Sequence, residues 1–233
     1  QVAGISGDMI LSSLVDLGAN KSKIIDGLKE SAKFLSGSTI KKLDFIIIQK
    51  NGKSATQLVL EIDENIHERK GTEIKNCIKS ASEKLGLSKS AKEFAENSIN
   101  TLINAESIVH GEPESSVHFH EASSIDTVVD IIGTAIALDD LHLFDEDIFC
   151  SHVAIGGGTV SFSHGTTSNP AYAITEIFSN SNIIVAGGPV NEELTTPTGA
   201  SMLVNLASSS KEFFVDMSID CVGYGSGTKD FDG

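Results

Sequence analysis

Basic residues are scarce in this chain. Seventeen lysines and arginines stand against 32 aspartates and glutamates, a formal net charge of −15, and so acidic a chain opposes nucleic-acid backbone and anionic membrane as general partners. Cysteine is scarce too: Cys77, Cys150 and Cys221 lie far apart and form no CxxC, so neither a disulfide framework nor a thiolate metal site is indicated. A reducing cytoplasm is the expected compartment. No apolar run approaches the roughly 20 residues that span a bilayer, and no charged leader precedes a short apolar core. Internal repeats, low-complexity tracts and an obvious interdomain linker are missing as well. Gln1 opens the chain with a glycine motif just behind it, so the start of the protein is expected to lie upstream.

What is present suffices for a packed core. At 233 residues with 40% hydrophobic content the chain suits one large domain or two small ones. Apolar spacing predicts helices over 8–17, closed by Gly18, and over 21–35, capped by Asn20. Strands are expected at 40–48 and 56–62, with Asn51-Gly52 between them as a hairpin turn. Helices follow at 72–85 and 88–109, the second with Phe94, Ile99, Leu102 and Ile103 as a core stripe rather than a cofactor box. A further helix runs to 141, and the character changes near 142–150. Strands are then read at 148–155, 159–162, 183–186 and 213–219. Helices are read at 170–178, with Asn169 as cap and Pro170 in the first position, and at 195–206. The expected class is α/β, with α+β as the alternative: a layered mixed β-sheet with flanking helices and an antiparallel hairpin in the first half.

The chemistry concentrates at Val117-His118-Phe119-His120-Glu121. In extended backbone His118 and His120 face the same way, with Cα atoms roughly 6.6 Å apart, so both imidazoles can grip one ion. Ser123 and Ser124, with Asp126 three residues after the first, read as a capping box that opens a helix. On that helix Asp126 and Asp130 share one face. Two nitrogens and up to three carboxylates form a borderline donor set that suits zinc, nickel, iron or manganese better than calcium. The plainer alternatives are that Asp126 complements the helix end and that the cluster is a satisfied structural network. Asp130 interrupts Val128-Val129-Asp130-Ile131-Ile132, where a carboxylate needs a partner or a ligand.

Two glycine- and hydroxyl-rich loops precede helices. Gly4-Ile5-Ser6-Gly7-Asp8 and Thr195-Thr196-Pro197-Thr198-Gly199 could offer backbone amides to a phosphate or carboxylate, or could be ordinary turn chemistry. The first matches neither GxGxxG nor the P-loop, and no lysine stands in either. Ser6 is not in a GxSxG elbow, so a serine hydrolase is not indicated. His152 and His164 sit beside glycine-rich loops and could reach a shared cleft, whereas His67, His110 and His142 read as surface or locally bonded.

Taken together, Gly-Ile-Ser-Gly-Asp-Met at 4–9, Val-His-Phe-His-Glu at 117–121 with Asp126 and Val-Asp-Ile at 129–131, His-Gly at 164–165, Glu-Leu-Thr-Thr-Pro-Thr-Gly-Ala at 193–200 and Gly-Tyr-Gly-Ser-Gly-Thr-Lys-Asp-Phe at 223–231 resemble the LarC nickel-insertion family, in the same order along the whole chain. The resemblance implies a cytoplasmic protein that inserts nickel into pyridinium-3,5-bisthiocarboxylic acid mononucleotide, completing the nickel-pincer cofactor of lactate racemase, as a CTP-dependent chelatase of the lyase class. It also implies that residues 1–233 form a single N-terminal domain, and that CTP with its divalent ion belongs to a C-terminal nucleotide-binding domain outside it. The chain alone is then not expected to complete CTP-dependent insertion. Expected partners are the mononucleotide, apo lactate racemase and further copies of the chain. On this resemblance His118, His120, Glu121 and His164 are the metal candidates, and Glu121, Asp126 and Asp130 the catalytic carboxylates. Gly4, Ser6, Gly7, Asp8, Thr196, Thr198 and Gly199 are the candidates for the mononucleotide phosphate. Two features depart from the family: only Pro170 remains of a proline-rich segment after His-Gly, and the short strand before the first glycine loop is absent. A non-catalytic nickel or zinc delivery module and a metal-dependent hydrolase, with water in the open metal position, are the competing functions.

Overall fold

The computed structural model describes residues 4–50, 52–66, 68–119, 125–162, 165–168, 170–213 and 215–229, with the backbone alone over 160–162 and 165–168. Helix α1 (Gly7–Leu17) stops at Gly18, whose φ of 122° only glycine adopts readily. Helix α2 (Lys21–Ser31) is capped by Asn20, whose side chain accepts from the Lys23 amide at 3.1 Å. It tightens into a 3-10 turn over Ala32–Phe34. Strands β1 (Ser38–Lys50) and β2 (Lys53–Glu64) form the expected hairpin, with Gly52 at φ 75° in the turn. Asn51 lies outside the described residues. Then come β3 (Arg69–Lys70), α3 (Gly71–Lys84), α4 (Lys89–His110) and β4 (His118–Phe119), which pairs back onto β3 antiparallel.

Helix α5 (Ile125–Asp140) is the centre of the molecule. Twelve of its 16 residues are buried, Ile125, Val128, Ile131 and Ile132 among them, and a helix apolar on nearly every side must be covered on every side. Helices α1, α2, α3 and α4 pack around it. The capping box expected ahead of it falls on Ser123 and Ser124, outside the described residues.

The second half is built from short pieces: β5 (Phe149–Cys150), β6 (Val153–Ala154), β7 (Thr159–Phe162), β8 (Gly165–Ser168), α6 (Tyr172–Ser179), β9 (Val185–Ala186), α7 (Pro197–Val204), β10 (Ser209–Ser210) and β11 (Gly225–Ser226). Helix α7 also packs on α1, α4 and α5. Strand β11 joins the hairpin in parallel, giving the order β1-β2-β11, while β5-β10 and β6-β9 are parallel pairs and β7-β8 an antiparallel one. The class is α/β, carried among the described residues by small sheets instead of one layered sheet.

Several expected boundaries shift. The strand read at 148–155 divides into β5 and β6, which take different partners, β10 and β9. The helix read from Pro170 starts at Tyr172 because Ala171 stays extended at ψ 146°; Asn169 lies outside the described residues. Strand β8 is an addition to the expected elements, since Gly-Thr-Thr-Ser carries no apolar alternation. No strand forms among the described residues of 213–219: Phe213 and Ile219 are 78% and 74% exposed, and no neighbouring strand offers them a ladder.

Candidate functional site

Two loops from opposite ends of the chain meet edge to edge. The Ile5 amide donates to the Leu194 carbonyl at 3.0 Å and the Thr196 amide to the Ile5 carbonyl at 3.0 Å, a parallel bridge of Ile5 with Thr195. Such proximity depends on glycine. A Cβ on Gly4, whose φ is +66°, would lie 2.0 Å from the Leu194 carbonyl oxygen, and one on Gly199 would lie 2.7 Å from Ser6 Cα. Thr195 is buried and donates to the Ala154 carbonyl at 2.7 Å, fastening the pair to β6. Thr196 caps α7 by accepting from the Gly199 amide at 3.1 Å. That amide is therefore engaged already, and Gly199 serves close packing. Thr198 is half-buried in the first turn of α7.

At the start of α1, Ser6 donates to the Asp8 carboxylate, which also accepts from the Met9 amide at 2.9 Å. Gly7 rests on Asp130: a Cβ there would lie 2.3 Å from Asp130 Oδ2. Burial pushes the Asp130 carboxyl well above its ordinary value, and the negative charges of Asp8 and Asp126 push it further. Asp126 is exposed and accepts from the Thr127 amide at 2.7 Å. Charge balance decides what this corner attracts. A helix N-terminus offers about +0.5 of an elementary charge, which the charges of Asp8 and Asp126 outweigh even with Asp130 protonated. This negative charge weighs toward a cation over a bare phosphate beside Gly4, Ser6, Gly7 and Asp8.

A third segment reaches the same place. Over 223–227 every second residue is glycine, and that face lies on α1: a Cβ on Gly223 would meet the Ser13 carbonyl at 2.3 Å, and one on Gly225 the Met9 carbonyl at 2.0 Å. Asp16 locks the arrangement, accepting from Thr56 Oγ1 at 2.7 Å and from the Tyr224 amide at 2.8 Å. The segment then brings Lys229 Nζ to 3.1 Å from the Glu193 carboxylate, next to the Leu194–Thr196 edge. A lysine thus stands beside the loops although neither loop contains one.

His118 is half-buried in β4, with Nδ1 3.5 Å from Glu68 Oε1. His120, Glu121 and His164 lie outside the described residues. Among the described residues no three His, Cys, Asp or Glu side chains come together as a metal cage. Thiolate ligation finds no support either: burial pushes Cys77 up to about 12 and raises Cys150 as well. A polar groove of about 700 Å³ between α4, α6 and α7, lined by Asn97, Asn100, Asn104 and Asn205 among others, is a separate feature that none of the candidate residues lines.

The sequence profile described as "Nickel insertion protein" matches residues 1–233. A Methanothermobacter thermautotrophicus protein that carries nickel insertion in its name is 34% identical over 99% of this chain and 54% of its own length. Two proteins named pyridinium-3,5-bisthiocarboxylic acid mononucleotide nickel insertion protein are similar too. That of Staphylococcus saprophyticus is 37% identical over 99% of this chain and 55% of its own length; that of Clostridium kluyveri is 35% identical over 98% and 57%. The chain spans about half the length of the curated relatives it matches. No solved structure matches it. With a family profile aligned from its first residue to its last, the chain belongs to the nickel insertion family.

Proposed function

We propose that this chain supplies the nickel- and mononucleotide-handling part of nickel insertion into pyridinium-3,5-bisthiocarboxylic acid mononucleotide. The observation that carries the reading is the joining of two loops at Ile5 and Thr195, beside the Asp130 carboxyl and within reach of a segment that ends in Lys229. The mononucleotide phosphate lies toward Lys229 and the start of α7, where Thr196 and Thr198 offer hydroxyls. The carboxylates of Asp8 and Asp126, beside Asp130, draw the divalent cation to the other side. His118 and His120 carry the nickel, with Glu121 and His164 as further donors. Imidazole and carboxylate hold nickel firmly enough to select it, yet release it to sulfur more readily than a cage of thiolates would.

In the insertion step nickel, the substrate being delivered, bonds to the sulfurs and to a ring carbon, and that carbon gives up its proton. A carboxyl group beside the reacting carbon is suited to receive it, and Asp130, whose burial and acidic neighbours make it hold a proton more readily than an ordinary aspartate, is the candidate. A bare nickel or zinc carrier has no use for paired loops with a lysine beside them. CTP dependence with its divalent ion, lyase-class turnover, the nickel-pincer cofactor of lactate racemase as product, a cytoplasmic setting and assembly of copies are part of the proposal for the longer family protein. Isothermal titration of Ni²⁺ tests the metal side: His118→Ala with His120→Ala should weaken binding about tenfold or more, since only hard oxygen donors remain. Unchanged affinity in the double variant would remove both histidines from the reading.

A further inference from the structure

We infer that Glu68 is the positioning residue of His118, orienting its ring so that Nε2 faces the incoming divalent ion; this rests on the nickel role of His118 proposed above. The sequence around His118 contains nothing that points to Glu68, which arrives from the β3 side by strand pairing. Lys70 stands opposite His118 and Arg69 opposite Phe119 in the β3–β4 ladder, and the Gly71 amide donates to the Val117 carbonyl at 2.9 Å. Strand β3 is fixed from below. Arg69 is 1% exposed, and its guanidinium donates to the Ser36 carbonyl at 2.8 Å and to Ser38 Oγ at 2.7 Å while pairing with Glu64. Glu68, itself exposed, stands one residue before this anchor.

The two ring nitrogens of His118 are inequivalent. Nδ1 is shielded from solvent and makes no hydrogen bond among the described residues, and the Glu68 carboxylate lies 3.5 Å from it. That gap closes to a hydrogen bond with a shift of a few tenths of an ångström. A carboxylate on Nδ1 holds the proton there, leaves the Nε2 lone pair for a metal and raises its basicity, which is how ligating histidines are commonly oriented. As a surface ion pair alone the contact would contribute little.

The test uses the chain itself with Ni²⁺ as the probe and two readouts: titration calorimetry, and ¹⁵N NMR of the His118 tautomer in metal-free protein at a pH where the ring is neutral. The parent should show mainly the Nδ1–H tautomer. Glu68→Ala should lose that bias and bind Ni²⁺ about tenfold more weakly, while Glu68→Gln, whose amide oxygen still accepts, should fall between. Unchanged tautomer and affinity in Glu68→Ala, with binding lost in His118→Ala, would overturn the positioning role and leave the nickel role standing. If His118→Ala also bound Ni²⁺ as the parent does, both would fall. Equal loss in Glu68→Gln and Glu68→Ala with the tautomer unmoved would make Glu68 a ligand, which also overturns the inference.

Discussion

Asp130 is where residue-level chemistry is most exposed to measurement. Its carboxyl sits well above the ordinary 3.8 through burial and through Asp8 and Asp126, so the folded chain holds that proton more tightly than the unfolded chain does. Stability from this group is therefore complete below about pH 4, and is lost as pH rises through the raised folded value. Asp130→Asn cannot ionise. It should melt a few degrees higher than the parent at pH 7, with the difference closing toward about pH 4 in a series of thermal melts. A difference that does not vary with pH, or a lower melting temperature at pH 7, would remove the carboxylate corner as the cause. The importance of Asp130 is legible in sequence because a charge inside an apolar run is conspicuous. Lys229 and Glu68 are not legible in that way: each acts through a partner brought near by the fold, Glu193 in one case and His118 in the other, and local spacing carries no trace of that.

Among the elements, β11 shows how little a strand needs if its glycines are placed correctly. Two residues pair with β2, yet the segment is secured by contact of bare backbone with α1. Gly225→Ala would put a methyl 2.0 Å from the Met9 carbonyl oxygen, and forcing volume into such a contact costs about 1–3 kcal/mol. For a chain of this length that lowers the melting temperature by about 2–4 °C per kcal/mol. Gly187, with nothing within 4 Å of its added Cβ, is the control, and Gly187→Ala should melt within about 1 °C of the parent. Equal melting of the two variants would mean that the segment 223–227 is not seated on α1. Long periodic elements can be read from residue spacing alone: the β1–β2 hairpin and helices α1 to α5 fall within a few residues of expectation. The two-residue strands cannot, because their pairing is decided by neighbours far away in sequence. The apolar alternation at 213–219 misleads for the same reason, since a period-2 pattern states which face is apolar and not whether a partner strand exists.

For the whole molecule, the net charge of −15 would make the proposed nickel capture a long-range event. Approach of Ni²⁺ should be steered by the field at low salt and screened when the Debye length shrinks from about 30 Å at 0.01 M to a few ångströms at molar salt. Stopped-flow binding should show the association rate falling about tenfold between these limits, with dissociation much less affected. A salt-independent association rate would mean that the acidic surface does not guide the metal.

The glycine seam on α1 also determines which side of the Ile5–Thr195 junction is held. With Gly223 and Gly225 leaving no room for even a methyl against the helix backbone, Asp16 holding Thr56 and Tyr224 together, and Asp130 filling the space over Gly7, a roll or slide of α1 would drive it into its neighbours. It is the fixed jaw of a vice. The opposing jaw, the start of α7, meets it through the two backbone hydrogen bonds at Ile5. Any separation of the two would have to begin by breaking those two bonds from the α7 side.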